Sequence, residues 1–479
     1  MSRSMTDAEE QEPQISESRM RFTALIIASA LFMQNLDSTI ITTALPAMAR
    51  AFHEPPLHMS VALTSYLISL SVFIPASGWV ADRFGARAVF RAAIIVFTLG
   101  SVLCGLAPSL GGLVAARIIQ GLGGAMMLPV GRLVLLRSVS REQMVSAMSW
   151  LTMPALLGPI LGPPLGGLIV SYVSWRWVFG INVPIGCLGF IAVGLFIPDI
   201  KVPGRGGGLD ARGLILSGLA MAMNMIGLET YGRHLIPLSW TLGSFAIGLG
   251  AGALYIRHAR HAAQPVLDLS LLRIPTFANS MLAGSLFRIA VGALPFLLPL
   301  MLQLGFGDTP LRSGLITFAA AAGALFMKPM AKPILQKFGF RTVLVWNGVL
   351  AAGMIAVCAS FTQAWPPLTL DAVLFIGGLF RSLQFTAFNA IAYGDIPRAR
   401  MSAATSFYST IQQLSLTMGI VVGAIILEVA SGLRHHPTAL ASDYTLAFLV
   451  VGLIALIGAP LAARLPANAG ASLSGHRHG

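Results

Sequence analysis

Charge is the feature that this sequence most lacks. Charged residues make up 10% of the 479-residue chain, whereas a soluble globular protein carries about 25%. The mean hydropathy is +0.78, and apolar runs of roughly 20 residues, each long enough to cross a bilayer, follow one another along the chain. A chain of this composition cannot cover a water-facing surface. A soluble protein is therefore excluded, and no gap between the runs has room for a soluble domain.

Cysteines and catalytic motifs are also scarce. Cys104, Cys187 and Cys358 all lie in apolar runs, and their spacing fits neither a disulfide nor a metal site. The chain has no Gly-x4-Gly-Lys-Ser/Thr loop for nucleotide binding, and no haem, metal or nucleophile–base arrangement. We therefore expect no enzyme and no cofactor, and an ion gradient as the source of energy.

The net charge of +13 has two interpretations. In a soluble protein it would suggest nucleic-acid binding, but here the basic residues cluster in alternate loops, as the positive-inside rule requires. We therefore expect no nucleic-acid partner. The predicted spans lie at about 22–47, 59–81, 88–107, 110–136, 145–172, 176–197, 211–231, 237–256, 277–303, 312–335, 341–361, 367–393, 402–431 and 444–464.

The number of spans and the distribution of charge predict the orientation. Fourteen spans, an even number, put both termini on one side of the membrane. With the termini inside, the outer segments hold few basic residues, namely Arg50, Arg176, Arg233, Arg312 and Arg434. The excess of basic residues in the other segments predicts that both termini are cytoplasmic.

The two halves of the chain repeat one another. Residues 78–87 follow the second span and residues 332–341 follow the tenth, and both segments end in a basic residue and Phe-Gly-x-Arg. Arg117-Ile-Ile-Gln120 in the fourth span is matched by Arg381-Ser-Leu-Gln384 in the twelfth. Transporters are often built from such repeats. We divide the chain into a disordered cytosolic tail (1–21), a six-helix bundle (22–197), two additional spans with linkers (198–274), a second six-helix bundle (275–465) and a cytosolic tail (466–479).

One acidic residue, Asp37, lies deep in an apolar span. A carboxylate is costly there unless it is protonated or paired with a cation. Arg117 lies at a similar depth in the fourth span and is the expected partner, and Gln120 follows on the same helix face. Two interpretations stay open. Asp37 carries a coupling proton under the influence of Arg117, or the two residues form a static ion pair that holds two helices together.

Two further arginines, Arg288 and Arg381, lie near the middle of their spans, where a functional role is the default hypothesis. Three deep arginines against one deep acid suit an anionic or zwitterionic substrate. The alternative is that Arg288 and Arg381 cap backbone carbonyl groups at helix breaks. The predicted substrate cavity contains these two arginines and the uncharged polar residues Gln34, Gln120, Gln384 and Asn389.

Glycine forms a stripe in the fifth span. Gly158, Gly162 and Gly166 recur every fourth residue, which puts them on one helix face and lets another helix approach closely. Pro163 and neighbouring prolines interrupt the backbone hydrogen bonds, and Gly167 closes the motif. The segment predicts a bent, close-packed helix that moves during function.

The loop after the second span also has an unusual composition. Gly78 and Gly85 permit a tight turn at the helix end, and Asp82, Arg83 and Arg87 lie between or beside them. Ordinary positive-inside charge accounts for the arginines, but the acid opposes that rule.

These motifs give the sequence a resemblance to the major facilitator superfamily, and more narrowly to its fourteen-span drug:proton antiporter family (EmrB/QacA type). The resemblance covers nearly the whole chain. It is carried by five segments in family order, which are residues 36–46, 78–87, 117–121, 158–167 and 175–186.

The resemblance implies an all-α integral membrane protein with two six-helix bundles, two extra helices and about 14 transmembrane helices. It further implies a proton-coupled multidrug exporter that works by alternating access. Arginine far outnumbers lysine and the sequence shows no eukaryotic targeting signal, so we expect the inner membrane of a bacterium. The loop 78–87 would be a gating latch, and the glycine stripe would pack against the other bundle and close the inner side.

Expected partners are a small-molecule substrate, protons and the lipid bilayer. We expect a monomer, with a periplasmic adaptor left open. Two rival functions also stay open. One is an exporter of organic anions such as carboxylates or siderophore-like metabolites, and the other is a non-transporting membrane receptor or sensor.

Overall fold

A computed structural model describes residues 16–54, 59–197, 208–231, 237–433 and 441–474, and these residues form helices and connecting turns without a β-strand. The α-helices are α1 (Glu17–Phe52), α2 (Ser60–Phe73), α3 (Ser77–Phe84), α4 (Ala86–Leu106), α5 (Leu110–Ser138), α6 (Met144–Tyr172), α7 (Trp177–Gly180), α8 (Asn182–Phe196), α9 (Ala211–Tyr231), α10 (Leu238–Ala259), α11 (Pro275–Leu300), α12 (Pro310–Phe338), α13 (Phe340–Val357), α14 (Pro367–Ile391), α15 (Met401–Leu433), α16 (Ala441–Ala462) and α17 (Ala471–Ser474).

These helices account for the fourteen predicted spans. Twelve stretches of the described residues are helical, long and apolar enough to cross a membrane. A thirteenth is α6, whose two parts meet at an angle of 44° between Pro159 and Pro164, so the predicted bend at Pro163 is confirmed. The remaining predicted span, 211–231, corresponds to α9, whose apolar stretch Ala211–Gly227 is shorter than the others. The predicted all-α membrane architecture is confirmed.

The ends of the chain differ in part from the predicted tails. Residues 17–21 belong to α1, and the Ser16 side chain caps that helix by accepting a hydrogen bond from the Arg19 amide. At the other end, Leu473 in α17 is buried. Residues 1–15 of the first tail, residues 475–479 of the second tail, and the predicted outer-loop residues Arg233 and Arg434 lie outside the described residues.

The same helix pairings recur in both halves. In the first half, α1 packs on α6, α2 on α5, and α4 on both α5 and α8. In the second half, α11 packs on α15, α12 on α14, and α13 on both α14 and α16. Between the halves, α9 and α10 pair with one another, and α9 also packs on α2. The weak sequence repeat therefore corresponds to a repeat in the packing.

The glycine stripe of α6 packs on α1, within its own bundle. A Cβ atom added at Gly162 would lie 2.2 Å from Thr39 Oγ1, and one added at Gly166 would lie 2.2 Å from Thr43 Oγ1. At Gly158 it would lie 2.8 Å from the Leu36 amide nitrogen. The expectation that the stripe contacts the other bundle is therefore wrong, because the stripe lets the first and fifth spans of one bundle approach each other.

The apolar core divides according to depth in the membrane. We call the side on which α1 begins and α16 ends the terminal side. There, one continuous cluster joins the two bundles and includes Phe90 and Leu133 of the first half and Phe388 of the second. On the opposite side, each bundle has a core of its own, around Phe179 and around Phe448. The bundles are thus held together on the terminal side.

Candidate functional site

A buried hydrogen-bond network surrounds Asp37. Its side chain is fully buried in α1, and its Oδ2 atom accepts a hydrogen bond from Arg117 Nη1 at 2.6 Å. Its Oδ1 atom accepts from Gln120 Nε2 at 2.8 Å and from Asn182 Nδ2 at 2.7 Å. The expected contact between Asp37 and Arg117 is therefore present, and helices α1, α5 and α8 meet at one carboxylate.

The surroundings fix the arginine and the amides. Arg117 Nε donates to the carbonyl oxygen of Ala62 at 3.2 Å, and the guanidinium carbon lies 4.2 Å from the centroid of the Tyr66 ring. Ser101 Oγ accepts hydrogen bonds from Gln120 at 3.3 Å and from Asn182 at 2.8 Å. Charge-assisted hydrogen bonds of this kind are strong in a low-dielectric interior. Protonation of the carboxylate would remove the charge that organises them.

Sequence reasoning missed Asn182. It begins α8, and it is fully buried. A signal was available, since Asn182 lies within the segment 175–186 that carried part of the family resemblance.

The matching motif in the second half has different partners. Arg381 Nε donates to the carbonyl oxygen of Gly377 in its own helix at 3.2 Å. Gln384 Oε1 accepts from Asn347 Nδ2 at 2.8 Å, and Gln384 Nε2 donates to the carbonyl oxygen of Leu344 at 2.8 Å. Gln384 thus joins α14 to α13.

The remaining predicted cavity residues lie in separate places. Asn389 is buried in α14. Gln34 is half-buried in α1, and its amide nitrogen lies 3.5 Å from where a Cβ atom on Gly124 would be. Neither residue touches the Asp37 carboxylate, and their role in a substrate cavity stays a prediction.

A second buried polar cluster lies between the bundles. Arg132 in α5 donates to Tyr393 Oη at 3.1 Å, to Ser409 Oγ at 3.4 Å and to Gln412 Oε1 at 3.2 Å. Arg288 in α11 donates to the Tyr408 hydroxyl and to the carbonyl oxygen of Ser280. The guanidinium carbons of Arg132 and Arg288 lie 5.0 and 4.6 Å from the centroid of the same Tyr408 ring, so the predicted Arg288 lies at the boundary between the two halves.

The sequence did not predict that two basic residues, Arg132 and Lys328, are buried. Arg132 lies close to the basic cluster at the end of its span, so the sequence does not distinguish it from ordinary positive-inside charge. Lys328 is followed by Lys332 and Lys337, and the same explanation applies to it. In the structure, Lys328 is buried, and its ammonium group donates to Thr386 Oγ1 at 3.0 Å.

The expectation that residues 78–87 form a loop is wrong, because residues 78–84 belong to α3, residues 86–87 begin α4, and Gly85 alone joins the two helices. This segment 78–87 contacts both bundles. Asp82 Oδ1 accepts from Arg137 Nη2 at 3.0 Å, and Oδ2 accepts from the Ser402 hydroxyl of the second half. A Cβ atom added at Gly78 would lie 2.7 Å from the Ser402 carbonyl oxygen. Gly85 has a φ of 87°, a conformation that favours glycine. Of the two other predicted loop residues, Arg83 is exposed and Arg87 donates to the carbonyl oxygen of Gly194.

Metal binding finds no support in this geometry. Within the described ranges, no group of three or more His, Cys, Asp or Glu side chains is placed to hold a metal ion. The two buried sites therefore consist of one carboxylate with its hydrogen-bond donors around Asp37 and a cluster of arginine and hydroxyl groups between the bundles.

Comparisons with known proteins agree with this architecture. A protein of Klebsiella pneumoniae with the provisional name multidrug resistance protein MdtD is 37% identical over 454 residues, covering 94% of this chain and 96% of the relative. A protein of Salmonella paratyphi A with the same provisional name is 38% identical over 458 residues, covering 93% and 95%.

Solved structures share the fold at low identity. The human organic anion transporter MFSD10 matches with a TM-score of 0.64 at 13% identity, covering 94% of this chain and 100% of that chain. The proton:xylose symporter XylE matches with a TM-score of 0.65 at 13% identity, covering 93% and 95%. The profile of the Major Facilitator Superfamily matches residues 27–295 and 280–472. This chain belongs to the Major Facilitator Superfamily.

Proposed function

We propose that this protein is a proton-coupled exporter of small molecules that works by alternating access, with multidrug efflux as its activity. The observation that carries the proposal is the fully buried Asp37 carboxylate, which accepts hydrogen bonds from Arg117, Gln120 and Asn182. Such a group is costly in a membrane, and intramembrane acids commonly serve proton relays. The provisional name of the bacterial relatives supports drugs as the substrate class.

In this proposal, Asp37 binds and releases the coupling proton. The ionised carboxylate holds α1, α5 and α8 together through three hydrogen bonds. Protonation removes its charge and weakens the contact with Arg117, which favours a different packing of α1. Because α1 is in close contact with α6 along the glycine stripe, the change in α1 reaches the bent helix. A proton can thereby bias an equilibrium between two states of the transporter.

The same proposal includes location and assembly. The excess of basic residues in the terminal-side segments supports a bacterial inner-membrane protein with both termini in the cytoplasm. The terminal side is then the cytoplasmic side, and the state described above is closed to the cytoplasm. We propose that the protein acts as a monomer and performs no enzymatic reaction, with protons and a small-molecule substrate as its ligands.

Transport in proteoliposomes tests the proton role. The purified protein would be reconstituted, a pH gradient imposed, and accumulation of the cationic dye ethidium followed by fluorescence. We expect Asp37→Asn to abolish accumulation against a gradient while ethidium still exchanges between equal concentrations. Asp395→Asn is the matched control, because Asp395 is an exposed acid on the terminal side. Accumulation at the normal rate by Asp37→Asn would remove Asp37 from the coupling mechanism.

A further inference from the structure

The buried cluster around Arg132 crosses the boundary between the bundles. Arg132 is 1% exposed, and it belongs to α5 of the first half. The acceptors of its three hydrogen bonds, Tyr393, Ser409 and Gln412, all belong to the second half. If the bundles separate on the terminal side, Arg132 therefore loses all three hydrogen-bond acceptors at once.

The cluster holds two positive charges next to neutral partners. The guanidinium carbons of Arg132 and Arg288 lie 5.0 and 4.6 Å from the centroid of one ring, that of Tyr408. Arg288 is also 1% exposed. Across the described part of the chain, no carboxylate forms an ion pair with either arginine. The buried Arg117 and Arg137 differ, because they pair with Asp37 and Asp82.

This arrangement has an energetic consequence. Buried guanidinium groups are expensive without a counterion, and a donor that loses its acceptors incurs a further penalty. Opening of the terminal side would thus expose an under-satisfied guanidinium on the wall of the new cavity. A ligand shifts such an equilibrium only if it binds one state more tightly than the other. An anion that pairs with Arg132 in the open state meets that condition.

We propose that Arg132 and Arg288 form the recognition site for an anionic group of the exported substrate, with carboxylates as the chemical class. Guanidinium groups bind carboxylates through paired, charge-assisted hydrogen bonds, and the hydroxyl groups of Tyr393, Tyr408 and Ser409 can donate to the same anion. The site is formed when the terminal side opens. The inference rests on the proposed export function, and it deepens that function by naming the group recognised.

Transport of labelled anions tests the site. Proteoliposomes with an imposed pH gradient would be assayed with radiolabelled succinate and citrate, and separately with ethidium. We expect carboxylate flux in the natural protein. We expect Arg132→Gln and Arg288→Gln to lower it about tenfold to a hundredfold, the effect of losing charge-assisted hydrogen bonds. Arg132→Lys should retain part of the flux because it keeps the charge. Arg312→Gln is the matched control, since Arg312 is 56% exposed and lies in an outer segment.

A binding measurement separates recognition from a merely structural role. Succinate should raise the melting temperature of the detergent-solubilised natural protein, and should not raise that of Arg132→Gln or Arg288→Gln even where these variants fold. Proton-driven ethidium flux without carboxylate flux would overturn the inference and leave the proposed function standing. Equal carboxylate flux in Arg132→Gln would do the same. Carboxylate flux that ignores the pH gradient would instead overturn the proton coupling and keep the site.

Discussion

The two Arg-x-x-Gln motifs have the same spacing in equivalent helices, yet they meet different partners. In the first half, Arg117 and Gln120 both bind the Asp37 carboxylate. In the second half, Arg381 donates to a carbonyl oxygen of its own helix, and Gln384 exchanges hydrogen bonds with α13. A motif of this kind therefore acquires its chemistry from the helix that faces it. Proton exchange fits the half with the acid, and helix packing fits the other.

The glycine contacts, in contrast, are alike in the two halves. In both halves, the first and fifth spans approach so closely that a glycine is needed. Gly162 of α6 faces Thr39 of α1, and a Cβ atom added at Gly419 of α15 would lie 2.2 Å from the Ile289 carbonyl oxygen of α11. The halves therefore share their mechanical frame and differ in the polar groups placed on it.

The largest expected difference between variants, in proton coupling and in melting temperature, is that between Arg117→Gln and Arg381→Gln. Arg117→Gln leaves Asp37 buried without its cation, and breaking a buried pair in this way costs about 3–5 kcal/mol of stability. We expect proton-driven ethidium accumulation to be lost and the melting temperature to fall. Arg381→Gln removes a hydrogen bond to a backbone carbonyl, so the melting temperature should change much less and proton coupling should persist.

Flux and thermal stability of both variants would be measured side by side in the same lipid. The contrast between the halves would be wrong if Arg381→Gln uncoupled transport from protons as completely as Arg117→Gln. A double variant, Asp37→Asn with Arg117→Gln, sharpens the result. It should recover stability relative to Arg117→Gln, because no charge is then left unpaired, without recovering proton coupling.

The next effect in size concerns the shared glycine contacts. Gly162→Leu would force α1 and α6 apart, and overpacking of this type costs about 1–3 kcal/mol. We expect export to fail while the protein still inserts and folds, and Gly419→Leu should fail in the same way. Gly353→Leu is the control, because that glycine in α13 has open space around it.

Membrane localisation by fluorescence and export in cells would be compared for the three variants. Normal export by Gly162→Leu together with failure of Gly419→Leu would show that only the second half depends on the close approach.

The next effect concerns the segment 78–87, which runs from α3 into α4. Asp82 binds Arg137 of its own bundle and Ser402 of the other. Asp82→Asn should shift the equilibrium toward opening of the terminal side by about 1–3 kcal/mol. Spin labels would be placed at the exposed Ala88 and Ala399. Opening would then appear as a longer distance between the two labels in double electron–electron resonance spectroscopy.

Ser402→Ala removes only the contact that crosses between bundles, and it should cause part of the same shift. If Asp82→Asn opened the terminal side and Ser402→Ala left it unchanged, Asp82 would act through Arg137 alone. An unchanged distance in both variants would mean that the segment 78–87 is not a latch.

Much of this picture could be predicted from the sequence because the membrane restricts the possibilities. Apolar runs must be helical in lipid, so the spans were readable from length alone. Few basic residues lie at the same depth in the membrane as Asp37, so Arg117 could be predicted as its partner. The bend at Pro163 followed from the missing backbone donors of proline.

The rest depended on contacts between distant segments. Glycine spacing predicts that α6 has a close-packing face but does not identify its partner, and we assigned the wrong bundle. Arg132 and Lys328 lie near basic clusters, so charge patterning concealed that their side chains are buried. Asn182 is uncharged, and a neutral amide in a span has no strong signal until the carboxylate beside it is seen.

The smallest expected effect concerns Asp268, a carboxylate in the segment between α10 and α11. Its side chain accepts a hydrogen bond from the Ser270 amide and forms an ion pair with Arg400 at 2.8 Å. Partial burial opposes ionisation, but these contacts outweigh it and hold the pKa of Asp268 below its usual range. A pKa that is lower in the folded protein adds stability above the unfolded pKa, and that stability is lost as the pH falls through the folded pKa.

Asp268→Asn should therefore lower the free energy of unfolding by about 1 kcal/mol at neutral pH. Because the folded pKa lies below the ordinary range of a carboxylate, the difference from the natural protein should be the same at about pH 7 and about pH 5. Melting of the detergent-solubilised proteins at the two pH values would check this. A difference that disappeared at the lower pH would mean that Arg400 does not hold the carboxylate ionised. Unlike Asp82, Asp268 lies outside the first bundle, so Asp268→Asn should leave the spin-label distance between Ala88 and Ala399 unchanged.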